Sequence, residues 1–571
     1  MAFHSPPPPR PVDADNAART LIDDLLAEQG ELTAVEMFSR VHDAREVRGP
    51  RYENLLPAAA PGPGQQYAFE VNLDQCSGCK ACVTACHSLN GLDDDETWRS
   101  VGALHSADVR RPLTQIVTTA CHHCVDPGCL NGCPVLAYDK DPVTGIVRHL
   151  DDQCIGCQYC VMKCPYEVPQ YLPKRGIVRK CDMCSSRLTA GEAPACVQAC
   201  PNEAISITVV DQAKVRGKYR GLKSETRDSD FGTRASFGFR ISDIGFNNSF
   251  LPDSPNPAIT LPTTRYVSQR PLPADLDAED THDVRPAKAH PPLTVMLVLS
   301  QLGVGLALMG AFAGGRSRAT ALAALVATVV AVLVGTLHLG QPLKAWRSFL
   351  GWRRSWFSRE LIAFGAFLAT LVAHLALLHP FTALLAATTG LAAIACSAMI
   401  YVDTRRPFWN APMTFGKFFG TTLVLGGAGA LLLGALASSP AGFNGIHFKT
   451  PAGMPALPGI ALAAVILGTI VKLAFENRIF RFLVEEQDPH LTALNKTAPL
   501  LTRRFGLVSR VRGLCAVAGG IVLPLAAGFG GSAAWALPAA ALALCLAGEL
   551  IERHLFFVAE VAPKMPGGGN A

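Results

Sequence analysis

The chain has 571 residues, with 51 basic and 46 acidic side chains and a formal net charge of only +5. This balance gives no reason to expect a nucleic-acid partner, because the basic residues of the C-terminal half lie between apolar segments. Residues 1–290 are polar and rich in proline, whereas residues 291–557 contain repeated apolar stretches of about 20 residues, enough to cross a hydrocarbon core of ~30 Å. A soluble N-terminal half and a membrane-embedded C-terminal half are therefore expected.

The first 65 residues are predicted to form an extension with no chemistry of its own. Residues 1–13 hold five prolines in a polar run, which is typical of disorder. Apolar residues at helical spacing predict a helix over 16–28, and a capping box at Thr33 predicts a second. We expect these helices to pack on the next domain or on a partner subunit. The start of the chain shows no secretory pattern and no twin-arginine pair, so we expect no export of the soluble half.

Sixteen of the 19 cysteines lie in four groups of four within residues 76–200. The groups are Cys76, Cys79, Cys82 and Cys86; Cys121, Cys124, Cys129 and Cys133; Cys154, Cys157, Cys160 and Cys164; and Cys181, Cys184, Cys196 and Cys200. The first and third groups have the C-x2-C-x2-C-x3-C spacing of a bacterial ferredoxin, and each group after the first is followed directly by a proline.

This spacing has a physical reason. In a ferredoxin, three closely spaced cysteines bind one cubane cluster and the fourth binds the neighbouring cluster. A disulfide framework is typical of small secreted domains, and structural zinc favours C-x2-C pairs separated by a dozen or more residues. The sequence therefore predicts four [4Fe–4S] clusters in two pairs, with all sixteen cysteines as iron ligands. The spacing alone does not decide which groups form a pair.

Short predicted strands flank the cysteine groups at 67–73, 146–150 and 205–210. With the cysteine loops they favour an α+β, ferredoxin-like domain over residues 66–210. Residues 211–290 are irregular and rich in Pro, Asp, Arg and Ser, and we expect an arm or linker that runs over a partner surface.

After the arm, an all-α bundle of eight transmembrane helices is predicted over residues 291–557, followed by a tail at 558–571. The apolar spans are 292–313, 319–338, 359–379, 381–402, 414–437, 456–475, 512–530 and 532–551. Small residues are abundant in them, as helix packing in lipid requires.

The basic residues of the loops and span ends are distributed asymmetrically. If the first span starts on the side of the cysteine-rich domain, that side has seventeen of them and the opposite side has three, Arg316, Arg318 and Lys449. The seventeen are Lys344, Arg347, Arg353, Arg354, Arg405, Arg406, Lys417, Lys472, Arg478, Arg481, Lys496, Arg503, Arg504, Arg510, Arg512, Arg553 and Lys564. Basic loops stay in the cytoplasm, so the cysteine-rich domain is expected on the cytoplasmic side of a bacterial inner membrane.

A histidine and a carboxylate are predicted at the membrane edge that faces the cysteine-rich domain. His338 closes the second span and Glu360 opens the third. Together they could hydrogen-bond the two carbonyl oxygens of a quinone headgroup and carry its two protons. The alternative is that each side chain only caps a helix end.

Other residues of the spans are interpreted as structural. Glu549 is expected to make a hydrogen bond inside the bundle, and no chain of buried charges suited to transport is expected. His374 and His447 do not form the pair that a b-type haem needs, so no haem is predicted. The three remaining cysteines are expected to be small buried apolar residues; they are Cys396, Cys515 and Cys545.

The cysteine groups resemble the iron–sulfur electron-transfer subunit of the dimethyl-sulfoxide-reductase family of molybdenum enzymes. The spans resemble that family's eight-helix anchor subunit, through LHLGQPLKAWRSFL, SREL and LAGELIERHLFF. The resemblance implies a fusion of both subunits and places the family's quinol-site residues on His338 and Glu360. It also implies four ligand sets: Cys76, Cys79, Cys82 and Cys200; Cys86, Cys181, Cys184 and Cys196; Cys121, Cys124, Cys129 and Cys164; and Cys133, Cys154, Cys157 and Cys160.

Residues 1–65 and 211–290 have no counterpart in the sulfoxide-reducing version of the family, and with the expected orientation they resemble its cytoplasm-facing sulfite dehydrogenase branch. We therefore expect an electron conduit between a molybdopterin-containing catalytic subunit and the quinone pool, used in the oxidation of sulfite to sulfate. Nothing in the sequence resembles a pterin-binding subunit, so molybdenum is expected on another chain. The alternatives are the reverse flow, from quinol to a sulfoxide, and a ferredoxin-like module tethered to a transporter.

Overall fold

The computed structural model describes residues 54–106, 112–220, 250–273, 276–438, 456–483, 493–527, 535–562 and 564–567. The chain divides into two units, Met1–Ala58 and Ala59–Ala571, and everything below concerns the second. The two helices predicted near the N-terminus lie outside the described residues, as does much of the predicted arm.

The cysteine-rich domain is built from short strands around cysteine loops. Its strands are β1 (Gln65–Asn72), β2 (Ser100–Ser106), β3 (Thr114–Thr119), β4 (Tyr138–Lys140), β5 (Val147–His149), β6 (Gln170–Leu172), β7 (Ile177–Arg179) and β8 (Ile205–Asp211). β1 pairs antiparallel with β8, from Gln65 opposite Asp211 to Val71 opposite Ile205. β2 pairs with β3, β4 with β5 and β6 with β7, all antiparallel. β1, β5 and β8 lie where strands were predicted.

Short helices follow or contain the cysteines of this domain. They are α1 (Ala81–Leu89), α2 (Gly128–Gly132), α3 (Tyr159–Lys163), α4 (Ser185–Thr189), α5 (Ala195–Gln198) and α6 (Gln212–Arg220).

The described part of the predicted arm packs on its own chain. β9 (Arg265–Val267) extends the first sheet beside β1, and β10 (Leu276–Ala278) extends the second beside β2. Phe250 and Leu251 are buried in the same hydrophobic core as Leu104. Over this stretch the expectation of an arm on a partner surface is wrong, because its apolar residues complete the core of the cysteine-rich domain.

The end of the chain also returns to the cysteine-rich domain. Met565 is 1% exposed and belongs to the core that contains Leu104 and Val117. Lys564 forms an ion pair with Asp280. The residues that follow the last helix are therefore part of the folded soluble domain.

Among the described residues, seven helical stretches are long and apolar enough to cross a membrane. They are α7 (Pro291–Phe312), α8 (Arg318–Thr336), α9 (Trp356–Leu377), α10 (Pro380–Val402), α11 (Ala411–Ser438), α12 (Ala456–Asn477) and the stretch Gly506–Ala527. A short helix, α13 (Ala493–Pro499), precedes the last stretch, which consists of α14 (Gly506–Val517), a π-helical segment (Ala518–Val522) and α15 (Leu523–Ala527).

The eighth predicted span corresponds to α16 (Ala536–Val558). Its C-terminal half carries Glu549, Glu552 and Arg553. Because of these three charges, α16 is not apolar enough to count among the seven. Within the described part of the chain, length and composition therefore support seven spans.

Close backbone approach holds the bundle together around α7. A Cβ atom added to Gly305 of α7 would lie 2.2 Å from the carbonyl oxygen of Thr422 in α11, and Gly426 faces the same crossing. Helices in lipid are not driven together by the hydrophobic effect, so close packing at small residues of this kind stabilises their association instead.

The loop between α8 and α9 lies directly beneath the cysteine-rich domain. Gln341 donates a backbone hydrogen bond to the Ile155 carbonyl at 3.0 Å, and Gly351 donates one to the Pro134 carbonyl at 2.7 Å. At the next loop on this side, Lys163 pairs with Asp403 at 2.6 Å. Loops that carry cysteines therefore rest on the membrane bundle.

Candidate electron-transfer site

The structure gathers the sixteen cysteines into four sets drawn from different groups of the sequence. Three small cavities are each lined by four cysteines, of which one comes from a different group: Cys76, Cys79, Cys82 with Cys200; Cys121, Cys124, Cys129 with Cys164; and Cys154, Cys157, Cys160 with Cys133. The remaining four also lie near one another: Cys86 neighbours Cys184 and Cys196, and Cys181 neighbours Cys86 and Cys184. These are the sets that the resemblance implies.

Local backbone conformation explains how the loops present their cysteines. Lys80 and Gln158, at the N-termini of α1 and α3, have left-handed φ angles of 61° and 58°. The turn places Cys82 and Cys160 on the helices that follow, while the preceding cysteines stay in the loops. Backbone N–H groups point at several sulfur atoms; for example, Ala137 donates to Cys133 Sγ at 3.2 Å.

The donor chemistry of these sets fits iron–sulfur clusters. Burial raises the pKa of the Cys133 thiol to about 11 and that of Cys86 to about 12, so at neutral pH a thiolate here requires a compensating positive charge such as iron. No group of three or more His, Cys, Asp or Glu side chains in the described ranges is arranged to hold a single ion. Four sulfur atoms on the walls of one cavity instead suit a multi-iron cluster.

Two buried cations lie between the sets. Arg99, 2% exposed, neighbours cysteines of the first and fourth groups, and its guanidinium donates to Thr118 Oγ1 at 3.2 Å. Lys180, also 2% exposed, neighbours Cys121, Cys129 and Cys181. Positive charges in these positions offset the negative charge of thiolate-ligated clusters.

A further cavity lies where the cysteine-rich domain meets the membrane bundle. Its volume is about 120 Å³, and its walls come from α3, α7, α8, α9, α10 and the loop between α8 and α9. Cys157, His338 and Glu360 all line it, together with Tyr401 and a largely apolar remainder. The structure thus brings the two residues predicted for quinone chemistry to one cavity with a cysteine of the third group.

His338 lies just beyond α8, which ends at Thr336, two residues before the predicted end of the span. Its imidazole is hydrogen-bonded to the backbone of Cys157, and its Nε2 atom is buried without a hydrogen-bond partner in the protein. Burial lowers the pKa of His338 to about 4, so the ring is neutral at pH 7. The His290 ring packs against it edge-to-face at 5.1 Å.

Glu360 lies in the first turns of α9 and is 7% exposed. Its Oε1 atom has no hydrogen-bond partner in the protein. A buried carboxyl oxygen and a buried imidazole nitrogen that both lack partners are available to a polar ligand in the cavity.

Sequence reasoning missed a network of seven ionisable side chains inside the bundle. They are Lys417, Lys472, Glu476, Arg512, Glu549, Glu552 and Arg553. Lys472 is central: its ammonium group pairs with Glu549, lies 3.4 Å from Glu552 Oε2 and donates to Thr421 Oγ1 at 2.7 Å. The expectation of no chain of buried charges is therefore wrong.

The four cations of this network are also basic residues near the ends of predicted spans, where they resemble loop residues. The sequence pattern assigns Lys417, Lys472, Arg512 and Arg553 to loops and span ends, but each is at most 5% exposed and inside a helix. Their carboxylate partners lie on α12 and α16. Without these four, thirteen of the seventeen basic residues remain on the cysteine-rich side.

The other residues interpreted as structural have ordinary surroundings. His374 is hydrogen-bonded to Thr382 Oγ1 at 3.0 Å, and His447 lies outside the described residues. Cys545 is buried, as expected, whereas Cys396 and Cys515 are partly exposed, so the expectation of burial is wrong for these two.

Comparison with known proteins gives two family matches on one chain. Residues 113–210 match the 4Fe-4S dicluster domain, and residues 288–558 match the DMSO reductase anchor subunit, DmsC. The B subunit of the anaerobic dimethyl sulfoxide reductase of Haemophilus influenzae is 33% identical over 27% of this chain and 78% of the relative. The chain belongs to the dimethyl sulfoxide reductase family. It joins the family's iron–sulfur and anchor parts in one polypeptide, as the resemblance implied.

Two other relatives match the cysteine-rich part. The electron-transfer subunit PhsB of the thiosulfate reductase of Salmonella typhi is 32% identical over 31% of this chain and 94% of the relative. The iron–sulfur subunit of formate dehydrogenase-O of Escherichia coli is 32% identical over 32% of this chain and 67% of the relative.

These similarities confirm the prediction of an oxidoreductase subunit in the dimethyl sulfoxide reductase family, with the catalytic molybdenum site on another chain. They also confirm an iron–sulfur, membrane-bound protein. The match of residues 288–558 to an anchor subunit speaks against the alternative of a module tethered to a transporter.

Proposed function

We propose that this chain carries electrons between a molybdopterin-containing catalytic subunit and the quinone pool, and anchors that subunit to the membrane. One observation carries the proposal: Cys157, His338 and Glu360 line a single cavity at the membrane edge. A headgroup in that cavity would lie beside a cluster ligand and between two groups that can exchange protons.

The proposed site separates electron and proton transfer. When bound to Cys133, Cys154, Cys157 and Cys160, a [4Fe–4S] cluster supplies or accepts single electrons at the wall of the cavity. His338 Nε2 and Glu360 Oε1 have no hydrogen-bond partner in the protein, so they can accept from the two hydroxyl groups of a quinol or, once protonated, donate to the two carbonyl oxygens of a quinone. Reduction of a quinone to a quinol takes up two electrons and two protons. In the reverse direction the quinol would give its two electrons, one at a time, to the cluster and its two protons to His338 and Glu360.

We further propose four [4Fe–4S] clusters in a ferredoxin-like domain over residues 66–210. Support comes from the four cysteine sets and from the fact that every cysteine in 76–200 belongs to one of them. Residues 250–290 then form a linker that folds onto this domain before the chain enters the membrane.

We propose that α16 is an eighth membrane crossing. Ala287, four residues before α7, donates a backbone hydrogen bond to the carbonyl of Val558 at the end of α16. Two ends that meet at the same membrane edge require an even number of crossings, and seven is odd. The charges of α16 can cross because the buried network pairs them.

For orientation, we propose that the iron–sulfur domain faces the cytoplasm of a bacterial inner membrane. The loops that contact this domain are the basic ones: Lys344, in the loop after α8, donates to the Asp152 carbonyl at 2.8 Å, and Arg406 after α10 donates to the Met162 carbonyl at 3.1 Å. Basic loops stay in the cytoplasm.

For the substrate of the catalytic subunit we propose sulfite, oxidised to sulfate, because a cytoplasmic orientation places the reaction inside the cell. Reduction of a sulfoxide by quinol is the second candidate, favoured by the similarity to the B subunit of dimethyl sulfoxide reductase. Membranes that contain the protein and its catalytic subunit would be assayed for sulfite-dependent reduction of a quinone analogue and for quinol-dependent reduction of dimethyl sulfoxide. The faster reaction decides between the two.

The quinone site is tested with His338→Leu and Glu360→Gln. Each variant should lose most quinone-linked electron transfer, while the catalytic subunit still turns over with an artificial acceptor and the cluster signals remain. The loss of one hydrogen bond weakens binding by about 0.5–1.5 kcal/mol, so the larger effect is expected on turnover, through proton transfer.

His379→Asn serves as the control, because His379 lies at the opposite end of α9 and its capping bond to Phe381 can be kept by Asn. Full quinone-linked activity in both test variants would place the site elsewhere. Loss of cluster signals in either would mean that the residue is structural.

A further inference from the structure

A hydroxyl group from the linker reaches into one of the cysteine cavities. Thr260 lines the cavity of Cys121, Cys124, Cys129 and Cys164, although it lies more than 90 residues beyond the nearest of them in the sequence. Its Oγ1 atom is 3.4 Å from Cys124 Sγ, a hydrogen-bonding distance for sulfur. No cysteine spacing could have predicted this contact.

The linker is fixed beside the cysteine loop by its backbone. Asn256 caps a 3-10 turn (Pro257–Ile259) that ends at Thr260. The backbone N–H of Val125 then donates to the Leu261 carbonyl at 2.8 Å, and that of Asp126 donates to the Thr260 carbonyl at 3.1 Å. The hydroxyl is therefore held in place rather than free to rotate away with a mobile loop.

The direction of the hydrogen bond follows from counting protons. A cysteine that ligates iron is a thiolate and has no proton to donate, so the hydroxyl of Thr260 must be the donor. Thr260 Oγ1 can in turn accept from the hydroxyl of Tyr166, which lies 3.3 Å away.

The two hydroxyl groups are buried. Thr260 is 2% exposed and Tyr166 is 4% exposed, whereas Cys124 is partly exposed. A donor shielded from water has a larger effect on the stability of a negative sulfur than a donor at the surface.

We propose that Thr260, backed by Tyr166, is a positioning residue that sets the reduction potential of the cluster bound by Cys121, Cys124, Cys129 and Cys164. Reduction adds negative charge to the cluster and its thiolates. A hydrogen bond donated to a ligating sulfur stabilises the reduced form more than the oxidised form and raises the potential. The linker thus supplies a group that tunes a cluster, in addition to connecting two domains.

This inference rests on the proposed placement of a cluster in that cavity. Potentiometric titration of membranes containing the full chain, monitored by electron paramagnetic resonance, resolves the couples. The couple that Cys124→Ser alters or removes is assigned to this cavity. A Cys124→Ser variant with every couple unchanged would contradict the cluster placement itself, independently of Thr260.

Thr260→Val removes the donor with little change in volume. We expect the reduction potential of the assigned couple to fall by about 59 mV, which corresponds to a tenfold shift of a one-electron equilibrium towards the oxidised form. The potentials of the other couples should not change. Thr260→Ser, which keeps the hydroxyl, should restore the original potential. Thr263→Val is the matched control, because Thr263 lies on the same segment but donates to the His122 carbonyl at 2.7 Å.

The inference is overturned if Thr260→Val leaves the assigned couple in place, or if Thr263→Val lowers it equally. Should Thr260→Val fail to assemble the cluster, Tyr166→Phe decides instead. That variant keeps Thr260 but removes the hydroxyl group of Tyr166 that contacts it. The reduction potential of the same couple should fall by a smaller amount. An unchanged potential in Tyr166→Phe would then refute the proposal.

Discussion

Changing Glu549 to glutamine tests whether the buried network of the bundle depends on its charge balance. The network has four cations and three carboxylates, so its formal charge is +1. Glu549 contacts Lys472 and Arg512 and accepts from Thr421 Oγ1 at 2.6 Å. Glutamine has the same shape, but it would leave four cations facing two carboxylates.

Removing one partner from a buried ion pair typically costs about 3–5 kcal/mol, because the charge that remains is neither paired nor hydrated. We expect a loss of this size in the free energy of unfolding for Glu549→Gln. Lys472→Met should cost less, because three cations then face three carboxylates. In the double variant the two losses should not add, because the residues are in direct contact.

The measurement is unfolding of the purified chain in mixed micelles by increasing sodium dodecyl sulfate, followed by the loss of helical circular dichroism. Leu514→Ala is a suitable control, because Leu514 is 70% exposed on the lipid-facing surface of α14. A Glu549→Gln variant within about 0.5 kcal/mol of the parent, or a Lys472→Met variant that is the less stable of the two, would refute the reasoning from charge balance.

Three further predictions concern the clusters, the orientation and the contact between the domains. Four cubane clusters require about sixteen iron and sixteen sulfide per chain, and Cys129→Ser should lower or convert one cluster while the bundle stays inserted; half that iron content, or zinc, would contradict four clusters. Reporter fusions after Gly530 should be active in the periplasm and fusions after Ala571 in the cytoplasm, and the opposite pattern would reverse the orientation. Gly340→Val should reduce quinone-linked electron transfer severalfold, because a Cβ atom there would lie 2.1 Å from the Gly176 carbonyl oxygen; Gly365→Ala, in open space on α9, should not.

The cysteine sets could be predicted because their chemistry is local in sequence. The three cysteines of a C-x2-C-x2-C loop come together independently of contacts elsewhere in the chain. The fourth cysteine of each set comes from another group, and the spacing alone leaves that assignment open; the resemblance supplies it. The strands beside the cysteine groups were also predicted, because alternation and flanking turns are local signals.

What could not be predicted depends on contacts between distant segments. Thr260 is one threonine in an irregular stretch, and its approach to Cys124 follows from the pairing of β9 and β10 with β1 and β2. Lys472 lies in the last turns of a mostly apolar helix, a position that the sequence alone assigns to a span end. Its partners Glu549 and Glu552 lie some 80 residues further along the chain. A pattern read along one helix contains no information about such partners.

The burial of Met565 in the core of the iron–sulfur domain has a consequence for biosynthesis. The ribosome completes the cysteine loops long before it reaches the last helix, yet one side of their core stays open until residues 564–567 have been made. Synthesis of every described helix therefore precedes the closing of this core. A chain whose translation stopped before residue 564 would leave an apolar surface of the iron–sulfur domain uncovered.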